Sequence, residues 1–132
     1  AGKAREFQTN LYAVDKLLIR PMTSKYRVSV AELWSGPHSN GVLIKNFVSH
    51  FWGEDFGEFC QSLYRYALTQ AQKESTVELK PEVIISRARK MTFYICAFSN
   101  NQWNLDVELG GTVQESPFHT VLAASTTERV VM

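Results

Sequence analysis

Two short stretches of the chain concentrate side chains able to bind or act on a ligand. The first holds Ser49, His50, Trp52 and Glu54; the second holds Asn100, Asn101, Gln102 and Trp103. Ser49, His50 and Glu54 offer a hydroxyl, an imidazole and a carboxylate, groups that bind a ribose or phosphate or pass a proton as an acid–base pair. Asn100, Asn101 and Gln102 carry amides that match a base or another amide, and Trp52 and Trp103 carry rings on which a planar group stacks. The plainer reading is that Ser and Asn cap loops and helices while the two Trp bury area between loops and a helix. Either reading puts these side chains in loops, so the elements around them matter.

Other chemistries find less support. Ser49 and His50 invite a hydrolase reading, but neighbours in a strand point to opposite faces and no third orienting group is evident. No catalytic residue is therefore assigned. His38, His50, His119, Cys60 and Cys96 show none of the close paired spacings of a zinc site, so no metal is expected. Gly110-Gly111 follows no strand, and Gly53 and Gly57 form no GxGxxG pattern, which leaves the dinucleotide fingerprint absent. Arg87, Arg89 and Lys90 can touch a phosphate, but without interleaved exposed aromatics they read as a solvated edge.

Hydrophobic spacing outlines the elements that would position the two stretches. Leu11, Val14, Leu17 and Leu18 recur at helical spacing after Asn10, and Pro21 is expected to stop that helix. Ser29 and Glu32 have the spacing of a capping box before a short helical turn, and residues 35–41 form a loop by composition. A first core strand centres on residues 46–49. Asp55 then caps a helix to about Lys73, with Phe56, Phe59, Cys60, Leu63 and Ala67 on one face. The stretch 74–90 supports no assignment: Pro81 either opens a helix or marks an extended edge. Residues 91–98 are β-branched and aromatic, which suits a central parallel strand covered on both faces. Ser116 before Pro117 starts a helix to about Ser125, and an apolar strand begins at Val130. Strand, helix, strand, helix, strand implies right-handed crossovers and a parallel sheet.

Composition sets outer bounds. The 132 residues suffice for one core, and 45% hydrophobic with 20% charged residues is an ordinary globular mixture. A formal net charge of +1 supplies no global field for nucleic acid or anionic membrane. The longest apolar runs fall far short of the roughly 20 residues of a spanning helix. Cys60 and Cys96 are expected as two buried free thiols, which favours a reducing, intracellular and cytoplasmic setting, or an organelle if a leader was removed.

The segment Asn46-Phe47-Val48-Ser49-His50-Phe51-Trp52-Gly53-Glu54 resembles the first strand and loop of TIR-like and heterokaryon-incompatibility-like proteins. There a strand ends in Ser-His and a Trp-Gly pair follows. Residues 94–103, Tyr-Ile-Cys-Ala-Phe-Ser-Asn-Asn-Gln-Trp, resemble their second strand and its Asn-Gln element. Asn10-Leu11-Tyr12, Ser116-Pro117-Phe118 and the Glu128–Met132 strand are similar to blocks shared by a set of protist proteins abundant in dinoflagellates. The resemblance covers about residues 9–132. It implies an α/β fold of flavodoxin-like, TIR-like type: an N-terminal helical arm over 1–41 and a TIR-like part over 42–132, together one domain. It also implies that the sheet continues beyond Met132, so the fold is expected to be incomplete at its C-terminus.

Members of such families self-associate as adaptors or, in some TIR enzymes, cleave NAD. The catalytic glutamate of those enzymes lies on the helix after the third strand, which this sequence does not reach; Glu54 does not take its place. The leading expectation is a non-catalytic interaction or assembly-subunit module, without a cofactor, that contacts protein partners or itself. The alternative is a nucleotide-handling enzyme of the NAD hydrolase type, its acid supplied beyond residue 132.

Overall fold

The computed structural model describes residues 9–104 and 116–131. Residues 1–8, which by their polar composition are expected as an arm, the Gly110-Gly111 pair and Met132 lie outside them. The chain enters a continuous helical segment at Asn10, whose side chain accepts from the Ala13 amide at 3.1 Å. The segment comprises α1 (Leu11–Val14), a π-helical turn (Asp15–Ile19) and α2 (Arg20–Thr23). Pro21 does not end it. The π turn, closed by the Arg20 amide donating to the Asp15 carbonyl, already breaks the regular ladder just ahead of the residue that lacks an N–H.

The π turn also rotates the buried face. Spacing alone expected Leu17 and Leu18 inside, yet they are 63% and 52% exposed while Ile19 is 1% exposed. The inserted residue moves the inward position from four residues after Val14 to five. Leu11, Val14 and Ile19 then pack with Val30 and Ala97, and Trp52, Phe56 and Phe98 close over them. Ser29 and Glu32 form the expected reciprocal box, with bonds of 2.7 and 3.1 Å, and α3 (Val30–Ser35) follows. Gly36 ends it at φ +81°, a conformation that glycine adopts without a Cβ clash.

Among the described residues the strands β1 (Asn46–Val48), β2 (Phe93–Tyr94) and β3 (Arg129–Val131) form one parallel sheet of order β2-β1-β3. The chain is thus α/β. The central strand is β1 and not the 91–98 stretch, because β3 returns to the far side of β1, with Phe47 opposite both Tyr94 and Val130. The 91–98 strand is also cut short: from Cys96 the backbone turns into α6 (Cys96–Ser99), and the Ser99 hydroxyl accepts from the Ile95 amide at 3.1 Å. A serine side chain that satisfies the backbone locally competes with the ladder.

Asp55 caps α4 (Phe56–Lys73) by accepting from the Glu58 amide at 3.0 Å. Its buried face is Phe59, Ala67 and Ala71; Cys60 is exposed, which corrects the expectation of two buried thiols. The rotation follows from α5 (Pro81–Arg89), the open 74–90 stretch resolved as a helix with Pro81 in its first turn. Ala67, Ala71 and Ala88 form a second small core in which the two helices approach closely. Ser116 caps α7 (Pro117–Ala123) by accepting from the His119 amide, and Phe118 meets Phe47 edge-on at 6.3 Å between ring centres.

The π turn makes a discriminating prediction. Ile19→Ala should destabilise the chain by about 2–5 kcal/mol as a buried large-to-small change, while Leu18→Ala stays within about 0.5 kcal/mol as a surface change. Urea unfolding of the two variants measures this; the opposite order would mean that the helix keeps α register through residue 19.

Candidate functional site

The backbone leaves β1 at its carboxyl end through Ser49, whose amide donates to the Val131 carbonyl at 2.7 Å and extends the ladder to β3. Ser49 is exposed. His50 turns inward and lies on Phe59, ring centres 4.5 Å apart. Neither ring nitrogen is solvent-accessible or makes a hydrogen bond of proper geometry. Burial accordingly lowers the His50 pKa below its usual 6.5, with the Phe51 backbone and the Glu54 carboxylate offsetting this in part. The imidazole is a neutral, half-buried group beside an acid.

Trp52 sits one step further on. Its carbonyl accepts from the Leu11 amide at 3.0 Å, its ring meets Tyr12 at 5.3 Å, and its indole N–H donates to the Cys96 sulfur at 3.1 Å. Burial pushes the Cys96 thiol up, while the bonds from Trp52 and the Ala97 backbone favour the thiolate more weakly. Glu54 is half-buried, and its amide donates to the Phe51 carbonyl at 3.1 Å.

The second stretch spends its polar atoms on the fold. Asn100 is buried, and its side-chain oxygen accepts from the Tyr94 hydroxyl. Asn101 donates to the Arg27 carbonyl at 2.7 Å and accepts from the Trp103 amide at 3.0 Å. Gln102 is buried, and its amide faces the carbonyls of Cys96, Ala97 and Asn100 at 3.1, 3.4 and 3.4 Å. Trp103 lies against the N-terminal helices: its N–H donates to the buried Thr23 hydroxyl at 2.9 Å, and the Arg20 and Arg27 guanidiniums lie 5.6 and 5.2 Å from its ring centre.

Of the eight residues singled out by type, the structure brings Trp52 and Gln102 together on Cys96. It does not turn the two indoles towards one shared space, since Trp52 packs on Tyr12 and Trp103 on Thr23. Arg87, Arg89 and Lys90 stand exposed at the end of α5. Among the described residues no group of three or more His, Cys, Asp or Glu is placed to hold a metal ion, and no helix is long and apolar enough to cross a membrane.

An apolar groove of about 550 Å³ lies elsewhere, between α4 and α5, lined by Tyr64, Leu68, Gln72, Pro81, Ile84 and Ile85 among others. Residue types did not point to it. The available signals were the four-residue spacing of Tyr64 and Leu68 and the Ile84-Ile85 pair, and they acquire meaning only once 81–89 is a helix. No protein-family model, curated protein or solved structure matches the chain.

The buried imidazole predicts a pH dependence. A His pKa lowered by folding means the unfolded chain binds the proton more readily, so His50 removes stability as pH falls below about 6.5 and leaves it intact above. Chemical unfolding at pH 7.5 and 5.5 should show this decline, and His50→Phe should reduce it; an unchanged decline in the variant would sink the assignment. Trp103→Ala should cost about 2 kcal/mol or more, through lost packing and the loss of the bond that the buried Thr23 hydroxyl accepts. A melting temperature equal to the parent's would place Trp103 outside the fold's framework.

Proposed function

We propose that this chain is a non-catalytic protein-interaction or assembly-subunit module on a TIR-like, flavodoxin-like α/β fold, acting inside the cell and most simply in the cytoplasm. The observation that carries this reading is where the polar side chains of the 100–103 stretch go. Asn100, Asn101, Gln102 and the indole of Trp103 are engaged with backbone or side-chain groups of the chain itself. A ligand seeking those groups would have to break bonds that hold the loop, each worth about 1 kcal/mol net and more where it leaves a buried group unpaired.

Large apolar side chains, by contrast, face solvent: Trp34 and Phe51 lead, with Leu43 and Val42 in the loop between α3 and β1. Exposed aromatic area of this kind gains most by being covered in a protein interface. On this reading protein partners or self-association are the physiological contacts, and no cofactor is required.

One observation favours a second reading, a nucleotide-handling enzyme of the NAD hydrolase type. Exposed Ser49 and the neutral His50 beside Glu54 stand at the carboxyl end of the central strand, where open parallel sheets gather ligands. Two measurements on the purified chain separate the readings. Sedimentation should reveal concentration-dependent association that Trp34→Ser and Phe51→Ser weaken without lowering the melting temperature. Calorimetric titration with NAD should give no heat. A strict monomer that binds NAD, with binding lost in Ser49→Ala, would replace the first reading by the second.

A further inference from the structure

Between Lys16 and Arg27 the chain carries Lys16, Arg20, Lys25 and Arg27 and no acid. Asp15 pairs with Arg20 at 3.0 Å, but among the described residues Lys16, Lys25 and Arg27 enter none of the ion pairs formed. Among the described residues three of these four cations lack an ion-pair partner, which makes a local basic patch on a chain whose net charge is only +1.

The patch is built, not merely composed. Arg20 is held by Asp15 and by the Gln102 carbonyl, and its guanidinium lies against the Trp103 ring. Arg27 lies against the same ring although its backbone is in the left-handed region, φ +50°, which non-glycine residues seldom occupy. That conformation is held from both sides: the Arg27 amide donates to the Thr23 carbonyl at 2.8 Å and its carbonyl accepts from Asn101 at 2.7 Å. Arg20 already has its carboxylate in Asp15, whereas Arg27, on the same indole, has none among the described residues and is the cation that an incoming anion would pair. Exposed Tyr26, with the Lys25 ammonium 5.1 Å from its ring centre, and exposed Leu17 and Leu18 add apolar area from the same segment.

We propose that this surface docks an acidic segment of a partner protein, one whose clustered Asp and Glu carboxylates alternate with apolar side chains. The planar Arg27 guanidinium, oriented by the ring, matches a carboxylate two bonds at a time, Lys16 and Lys25 attract further carboxylates, and the leucines and Tyr26 take up the apolar positions. Single-stranded nucleic acid fits less well: stacking needs a free ring face, whereas Trp103 is half-buried with its ring engaged by two guanidiniums. A membrane surface also fits less well, because Leu11, Val14, Asp15, Ile19 and Thr23 bury the other side of the same helices and only about a turn of apolar surface faces out. The inference rests on the interaction-module reading for the partner being a protein.

The test is fluorescence anisotropy on the intact chain with a labelled peptide of alternating glutamate and leucine. Its lysine counterpart, oligothymidine and phosphatidylserine vesicles serve as competing probes. The glutamate peptide should bind with an affinity that falls as salt rises, and the pair Lys25→Glu with Arg27→Glu should weaken it at least about tenfold. Lys90→Glu, on a separate basic cluster, should leave it unchanged. Should the Arg27 variant unfold, Lys16→Glu with Lys25→Glu tests the same charge away from the indole and should weaken binding in the same direction. Equal binding of the lysine peptide, preference for oligothymidine or vesicles, or variants that bind like the parent would each overturn the proposal. Self-association measured without peptide tests the broader reading separately, so either can fail alone.

Discussion

The side-chain amide of Gln102 is the contact on which the rest of this structure leans. A chain that turns into a helical turn directly after an edge strand buries carbonyls that the ladder no longer reaches; the Asn100 amide donates to that of Cys96 at 3.0 Å, and any left unpaired would be costly. The Gln102 amide reaches the carbonyls of Cys96, Ala97 and Asn100 from within the core. With that loop closed, Ala97 can sit at the centre of the N-terminal core and the Cys96 sulfur can receive the Trp52 indole. The loops after β1 and β2 are joined through this one half-buried cysteine.

The same closure delivers Trp103 to the N-terminal helices, and there it meets the consequence of the π turn. By rotating Ile19 and Thr23 inward, the turn places the Thr23 hydroxyl where it both donates to the Ile19 carbonyl at 2.7 Å and accepts from the Trp103 indole. It also leaves Leu17 and Leu18 facing solvent beside Lys16. One inserted residue therefore creates both the seam between the helical segment and the sheet loops and the mixed apolar and basic surface next to it. π turns inside α-helices commonly mark such sites.

Polar groups near the carboxyl end of the sheet divide into two kinds. Those of the second stretch are partnered within the chain, while His50 is buried against Phe59 without a proper partner for its ring nitrogens. Fully satisfied buried networks rigidify a loop, whereas an unsatisfied buried group is a point of tension. The loop after β2 is thus framework, and the loop after β1 is where a change in protonation or a binding event has most to act on.

Much of the local structure was legible in residue order because its causes span three or four positions. Ser29, Asp55 and Ser116 each cap the helix that follows them, since a side-chain oxygen three residues before an unpaired amide needs nothing distant to find it. The parallel sheet was legible for the same kind of reason, from short apolar runs separated by helices. Tertiary structure alone decided the rest. Whether Leu18 or Ile19 faces inward depended on a π turn whose register is set by packing against Val30 and Ala97. Whether 95–99 continued as a strand depended on the Ser99 hydroxyl and the Gln102 amide both meeting the backbone of the turn, and the exposure of Cys60 on where α5 docks. The candidate site followed the same division: residue type singled out Trp52 and Gln102, but only the folded chain could bring Trp52 to Cys96, 44 positions away, and carry Trp103 to Arg20 and Arg27 at the other end of the sequence, because those contacts depend on how the chain closes.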